Sequence, residues 1–391
     1  MAQRVAASSP REVILADRVF DGERFVEGQA LIIEDGRIAG LAGVGEIAAG
    51  TAPVRRLDGC TLAPGFIDWQ VNGGGGVLLN DAPDAAGMAA IADAHRRFGT
   101  TGLLPTLITD APTIMERLAG ALGERPPGVL GVHLEGPFIN PERKGVHPPA
   151  AIRAMGPADL ELLASFGRFG RSVVTLAPER APEGAIEALA RAGIRVSVGH
   201  SAATAAEVRR AADRGLSGVT HLFNAMSQIT PREPGVVGAA FDDARLHVGI
   251  IADGHHVDPV NLRIAFRQIG PERLGLVSDA MSSVGAASPD FTLMGRQVRL
   301  VGDRLTVEDG TLAGAHVTMI ASVQRAVAMA GIPLEAALAM ASRSPASFLG
   351  LDDERGRIRP AFVADLVAFD SSFQVRATWV AGRYRAETME D

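Results

Sequence analysis

The 391-residue sequence predicts an α/β protein, a (β/α)8 TIM-like barrel with a small β-sandwich domain built from both chain ends. Three observations carry that expectation. Eight short apolar segments alternate with alanine-rich amphipathic stretches through the middle of the chain. Both ends read as turn-rich strands, and the polar residues of the middle gather at the carboxyl ends of its apolar segments. Parallel strands need crossover connections, and eight such units close a barrel.

At the amino end, EVILADRVF and ALIIEDGRIAGL adjoin Asp21-Gly22 and Asp35-Gly36, dipeptides that favour hairpin turns. At the carboxyl end, ADLVAFD and QVRATWVAGRYR show no long helical period. Residues 1–62 and 353–391 are therefore assigned to one small β domain, with residues 63–352 inserted between them as the barrel. The barrel strands are expected in LAPGFIDWQV, TGLLPTLIT, GVLGVHLEGP, SVVTLAPE, IRVSVGHS, LSGVTHLFNA, HVGIIADGHH and LGLVSDAM. AAGMAAIADAHRRF, GAIEALARAG and AATAAEVRRAADRG supply crossover helices. Beyond the eighth strand, FTLMGRQVRLVGDRLTVEDG predicts a hairpin excursion with a Gly-Asp turn, followed by helices near 316–331 and 333–349.

Hydrophobic residues make up 47% and charged residues 21%, enough for a large core. The formal charge is −7 and no basic stripe with interleaved aromatics occurs, which argues against a nucleic-acid partner. Cys60 stands alone, so no internal disulfide framework exists, and a reducing, cytoplasmic setting is expected. MAQRVAASSP has no apolar signal core, and no run of about 18 apolar residues predicts a membrane span.

The third strand segment ends in His133 and Glu135, the fifth in His200, the sixth in His221 and Asn224, the seventh in Asp253, His255 and His256, and the eighth in Asp279. In a barrel, that rim is where chemistry sits. One Glu and two His from three strands form a donor set suited to zinc with a fourth position for water. Asp279 is placed to take a proton from that water and return it to a leaving group. In the first strand Gln70 and Asn72, two residues apart, project from one face. The glycines at 73–76 lack the GxGxxG or GK[ST] phosphate-loop pattern, and close backbone approach near the metal is their expected role. His133 faces the same side as Glu135, His247 opens its strand at the end away from the chemistry, and His95 is expected at the surface or partly buried on an amphipathic helix.

The stretches PGFIDWQVNG, LLPTLIT, GVHLEGPFINPERKGVH, VTLAPE, VSVGHSAAT, THLFNAMSQITPREPG, GIIADGHHVD, LVSDAM and GTLAGAHVTM follow one another from residue 64 to 319. In that order they resemble the N-acetylglucosamine-6-phosphate deacetylases of the amidohydrolase superfamily. The resemblance implies metal-dependent hydrolysis of N-acetyl-D-glucosamine 6-phosphate to D-glucosamine 6-phosphate and acetate. It implies that Glu135, His200 and His221 hold one divalent metal ion per chain, with Zn2+ expected and Fe2+, Mn2+ or Co2+ suited to the same donors. Members with two histidines on strand one can hold two metals; Gln70 and Asn72 there imply one, with both amides as supporting residues.

By the same resemblance Asp279 is the general base and then the general acid, and His147 contacts the acetyl group or a nearby sugar oxygen, with Val146 beside it as pocket lining. Arg232, His256, Asn224 and the backbone N–H of Ala225 are expected on the phosphate, Arg232 reaching the neighbouring subunit of a homodimer. Leu312, Ala313 and Gly314 are expected to border the sugar, and His133 to support the site without binding metal. The chain departs from the family at SDAMSSVGAASPDF, at His255 beside His256, and at Ala313, Ala315 and His316, where serines are frequent. These departures leave N-acetyl-D-galactosamine 6-phosphate, or another amide, open as the substrate.

Overall fold

The computed structural model describes residues 11–47, 52–123 and 125–387. The amino-terminal strands are β1 (Glu12–Phe20), β2 (Phe25–Val26), β3 (Gln29–Glu34), β4 (Arg37–Gly43) and β5 (Val54–Pro64). Asp21-Gly22 lies between β1 and β2, and Asp35-Gly36 between β3 and β4, each joining an antiparallel pair as expected. The chain then enters β6 (Phe66–Val71), a small hairpin of β7 (Gly73–Gly74) and β8 (Val77–Leu78), and the strands β9 (Thr100–Ile108), β10 (His133–Glu135), β11 (Val173–Leu176), β12 (Arg195–Val198), β13 (Leu216–Val219), β14 (His247–Ile251) and β15 (Leu274–Val277).

Strands β6 and β9 to β15 pair in chain order, all parallel. Val71 bridges Ala280 beyond β15, and Asn72 N donates to Ala280 O at 2.8 Å, which brings the two edges of the sheet together. All eight barrel segments legible in the sequence are strands. The crossover helices are α1 (Ala85–Arg96), α2 (Pro112–Gly120), α3 (Pro157–Ser165), α4 (Ala185–Arg191), α5 (Ala205–Asp213), α6 (Gly235–Asp242) and α7 (Pro259–Ile269). Their starts are written locally. Thr204 and Glu207 form a reciprocal capping box at α5, and Asp258 accepts from Val260 N ahead of Pro259 at α7.

After the barrel comes a flap of β16 (Phe291–Leu293), β17 (Arg296–Val301) and β18 (Arg304–Thr306), with Gly302-Asp303 at its second turn. Leu293, Val298, Leu305 and Val307 give the flap an apolar cluster of its own, packed with Leu78, Ile108, Met281 and Ala313. Helix α8 (Met319–Ala330) matches the expected segment near 316–331. The segment expected at 333–349 is two helices, α9 (Leu334–Ala341) and α10 (Arg343–Leu349), broken at Ser342 (φ −134°, ψ −67°) just ahead of Pro345. The closing strands β19 (Leu366–Asp370), β20 (Val375–Val380) and β21 (Arg383–Ala386) join β5, β1, β3 and β4 in one hydrogen-bonded sheet. Both chain ends thus build the second domain, around a core of Ile14, Leu31, Leu62, Leu366 and Trp379. Among the described residues no helix is long and apolar enough to cross a membrane.

His95 departs from its expectation. It is fully buried on the face of α1 that also carries Met88, Ile91 and Ala92, and its Nε2 lies 2.8 Å from Gly73 O. A Cβ at Gly74 would come within 2.9 Å of the His95 ring, and one at Gly73 within 2.8 Å of Ser282 N. The glycines therefore let the β7 turn press against α1 and the loop after Asp279. Burial pushes the His95 imidazole down to about 4. An unfolded histidine binds its proton more tightly, so stability from this group is present above pH 6.5 and is lost as pH falls toward 4. Urea unfolding at pH 7.5 and pH 5 should show wild type losing about 2 kcal/mol more on acidification than His95→Gln. Equal losses would show that His95 is not the responsible group.

Candidate metal centre and active-site pocket

Residues from four of the barrel strands meet at the carboxyl end of the barrel. Glu135 ends β10, and His200, His221 and Asp279 stand just past β12, β13 and β15. The last three are non-glycine residues in the left-handed region, at φ 49°, 31° and 50°, as is Ala225 at 50°. Such a backbone costs on the order of 1 kcal/mol or more per residue and persists only where its surroundings enforce it. Here it turns each side chain off the strand line toward the barrel axis.

Glu135 Oε1 lies 3.1 Å from His200 Nε2 and 2.9 Å from His221 Nε2, and the two nitrogens are 3.1 Å apart. His200 Nδ1 sits 2.7 Å from Arg143 O, a carbonyl that can only accept, so this nitrogen carries a proton and Nε2 is the nitrogen that faces Glu135. His221 Nδ1 is buried without a partner. A carboxylate oxygen and two imidazole nitrogens converging on one point make the donor set of a divalent cation, and the residues present fit one. Burial by itself would push Glu135 up, yet the two imidazoles hold it well below the usual carboxylate range. Burial opposes charge on His221 as well, but Glu135 beside it pushes that imidazole up.

Gln70 and Asn72 connect this cluster to Asp279. Gln70 Nε2 donates to Glu135 Oε2 (3.1 Å) and to Asp279 Oδ1 (3.2 Å), and Asn72 Nδ2 donates to the same Oδ1 at 2.7 Å. Burial, then the Glu135 charge, push Asp279 upward. On the same inward face as Gln70 lies the fully buried Asp68, which accepts from Gln70 N and Ser278 N and which burial pushes up to about 7. Asp68 was not singled out in the sequence, although its place two residues before Gln70 on one strand face was readable.

A cavity of about 250 Å3 opens above these groups. It is lined by Asn72, Val146, His147, Asn224, Ala225, His256, Leu312 and Gly314 together with the Glu–His cluster and Asp279. His147 is buried rather than solvated. Its Nδ1 is 2.7 Å from Thr109 Oγ1, and burial, followed by His200, pushes it down to about 3. His256 Nδ1 is 2.6 Å from Asp253 Oδ2. Burial favours a neutral Asp253, but His256 and two backbone amides hold its carboxyl low. His133 lies below the cluster between Thr106 and Thr175, with burial pushing it down to about 4.

Two residues expected on the substrate lie off the cavity. Ala313 is packed in the flap's apolar cluster and donates its N–H to Leu305 O, while its neighbours on either side face the space. Arg232 is exposed on the surface loop before α6. Ile108, Met281 and Thr311 also line the cavity and were not foreseen, though the first two stand at the ends of expected strands.

Fold and site together define a hydrolase barrel with a buried Glu–His cluster at its carboxyl rim able to bind a metal ion. The Amidohydrolase family matches residues 61–385. The chain is 38% identical to an N-acetylgalactosamine-6-phosphate deacetylase of Shewanella sp. (strain ANA-3), over 96% of this chain and 97% of the relative. It is 37% identical to the human N-acetylglucosamine-6-phosphate deacetylase, over 92% and 89%. The crystal structure of N-acetylglucosamine-6-phosphate deacetylase from Pasteurella multocida superposes with a TM-score of 0.92 at 34% identity, covering 96% of this chain and all of that one. A mutant of the Mycobacterium smegmatis N-acetyl-D-glucosamine-6-phosphate deacetylase, in complex with N-acetyl-D-glucosamine-6-phosphate, superposes with a TM-score of 0.87 at 33% identity, covering 96% and 99%. The chain belongs to the amidohydrolase family.

Proposed function

We propose that the protein is a deacetylase that hydrolyses N-acetyl-D-glucosamine 6-phosphate to D-glucosamine 6-phosphate and acetate, using one divalent cation, Zn2+, held by Glu135, His200 and His221. Fe2+, Mn2+ or Co2+ would suit the same donors. The observation that carries this reading is the Glu135–Gln70–Asp279 link, which sets a proton-accepting carboxylate beside a metal-type donor cluster, both lining one cavity. When bound, the cation polarises the acetyl carbonyl and acidifies water beside it.

The chain's own residues do the rest. Asp279 takes the proton of the attacking water and delivers it to the departing amine nitrogen, an aid the amide needs because its leaving group is strongly basic. Asn72 and Gln70 occupy Asp279 Oδ1, so the transfer falls to Oδ2. Thr109 Oγ1 donates to Glu135 O and therefore accepts from His147 Nδ1–H, which leaves His147 Nε2 as an acceptor for a sugar hydroxyl. The Ala225 N–H and His256 supply donors for the phosphate, the His256 ring being braced by Asp253, and Asn224, whose Nδ2 donates to His221 O and Leu222 O, lines the space beside them.

Arg232 is proposed to complete the phosphate site of a second copy in a homodimer. Its exposure on a loop with Ile229, which is 55% exposed, supports that placement. Arg232→Ala should raise KM for the phosphorylated sugar by about 10–100-fold, the value of a lost charge-assisted hydrogen bond. An equal effect on unphosphorylated N-acetylglucosamine would refute the phosphate contact. The lone Cys60 supports a cytoplasmic setting. The pairing of β5 with β1 and β19 supports residues 1–62 and 353–391 as the small domain around a barrel of 63–352.

N-acetyl-D-galactosamine 6-phosphate is the second reading, favoured by the likeness to the N-acetylgalactosamine-6-phosphate deacetylases of Shewanella sp. (strain ANA-3) and Escherichia coli O157:H7, 38% and 36% identical. Acetate release from each of the two phosphates, with chelator and then metal added back, tests both. No chelator-sensitive release from either would overturn the deacetylase reading.

A further inference from the structure

The geometry points to His255 as a positioning residue: with Asp303 and Arg325 it braces the flap against the phosphate-binding loop and so sets the width of the sugar-phosphate pocket. This deepens the proposed function and rests on it for the identity of the ligand.

The brace is a closed circuit through three elements. His255 and His256 both donate their backbone N–H to Asp253 Oδ1 at 2.8 Å. From there the two side chains part. His256 returns to Asp253 and lines the cavity, while His255 Nε2 reaches Asp303 Oδ1 at the β17–β18 turn, 2.5 Å away. Asp303 Oδ2 accepts from Arg325 Nη2 of α8 at 3.0 Å, and Arg325 Nη1 donates to Asp253 O at 3.0 Å, closing the ring. Arg304 Nε donates to His255 Nδ1 at 3.0 Å. A guanidinium can only donate, so Nδ1 is the acceptor and Nε2 carries the proton given to Asp303. Both ring nitrogens are thereby committed to the flap, and neither faces the cavity.

Asp303 in the turn so held lies two residues before Leu305, the pocket wall's own support. Leu305 O accepts from Ala313 N (3.0 Å), and Val307 N donates to Thr311 O (3.1 Å), so β18 carries the segment whose Thr311, Leu312 and Gly314 border the cavity. His255 therefore ties that wall to the loop carrying His256, which lines the same cavity. An isolated exposed ion pair would contribute little. A ring that joins a loop, a hairpin turn and a helix fixes relative position, and the flap's own apolar cluster keeps it folded when one member is removed. Asp279 is held separately by Gln70 and Asn72, so the proton-transfer geometry does not depend on the brace.

The test compares wild type, His255→Ala, Asp303→Ala, the double variant and His255→Gln, whose amide can replace both the donor and the acceptor. Steady-state kinetics on the sugar phosphate should show KM raised about tenfold in each alanine variant, with kcat within about threefold and the double variant no worse than the weaker single. His255→Gln should restore KM. Hydrogen exchange of amides 296–314, read without substrate, should be faster in His255→Ala and return to the wild-type rate in His255→Gln. Unchanged exchange, additive KM effects, or a fall in kcat at constant KM would overturn the brace. If wild type does not turn over either sugar phosphate while exchange still responds to His255, the substrate reading fails and the brace stands.

Discussion

Asp279→Asn is expected to keep its metal and lose turnover by about 10²–10⁴-fold, the range for removal of a general acid–base group. The substitution is nearly isosteric, and the asparagine oxygen can stay where Oδ1 now accepts from Asn72 and Gln70. That orientation places the new NH2 at the position of Oδ2, and an amide nitrogen has no basic lone pair with which to take a proton from water. Glu135, His200 and His221 are untouched, so metal content by elemental analysis should match wild type while acetate release collapses. The left-handed backbone at Asp279 also suits asparagine, which tolerates φ of 50° better than most residues, so the folded state should survive. Turnover within tenfold of wild type at full metal content would remove Asp279 from the proton path.

Most of this site was legible because a parallel barrel puts its chemistry at strand ends, and strand ends are readable. Eight apolar runs bounded by Gly, His, Asp or Glu gave both the topology and the rim, and the order of the runs in the chain became the order of strands in the sheet. What escaped depends on tertiary placement. His95 sits seven residues after Met88, on the apolar stripe of α1, so its burial was within reach of the helical period. That its ring supports the glycine turn was not, because residues 73 and 95 meet only in the fold. The break at Ser342 follows from Pro345, whose missing N–H and ring prevent α9 from running on. In the segment 312–314 Ala313 turns away from the cavity while Leu312 and Gly314 face it, and three small or apolar residues in a row give no periodic signal for that. In the sequence His255 stands out only as a departure from the family beside His256, since its partner Asp303 lies 48 residues on, in the excursion.

Glu135→Gln is expected to empty the metal site. Glu135 supplies the only formal negative charge among the three donors, and a neutral water in its place would not restore that charge. With glutamine the cation would face two neutral imidazoles and a weakly donating amide, a poor set for a borderline-soft ion. Loss of partners that merely orient metal ligands costs about 10–100-fold in affinity, so loss of the charged ligand itself should exceed that range. Wild type should carry close to one equivalent per chain, Glu135→Gln less than about a tenth of that after dialysis against chelator, with turnover falling in step. The same measurement decides the role of strand β6. Gln70 and Asn72 spend their amide hydrogens on Glu135 and Asp279, which turns their donors toward the carboxylates and leaves both amide oxygens buried without partners. Two equivalents in wild type would mean those oxygens are ligands to a second ion and would overturn the single-metal site. One equivalent, lost with Glu135 and kept with Asp279→Asn, separates the group that holds the cation from the group that moves the proton.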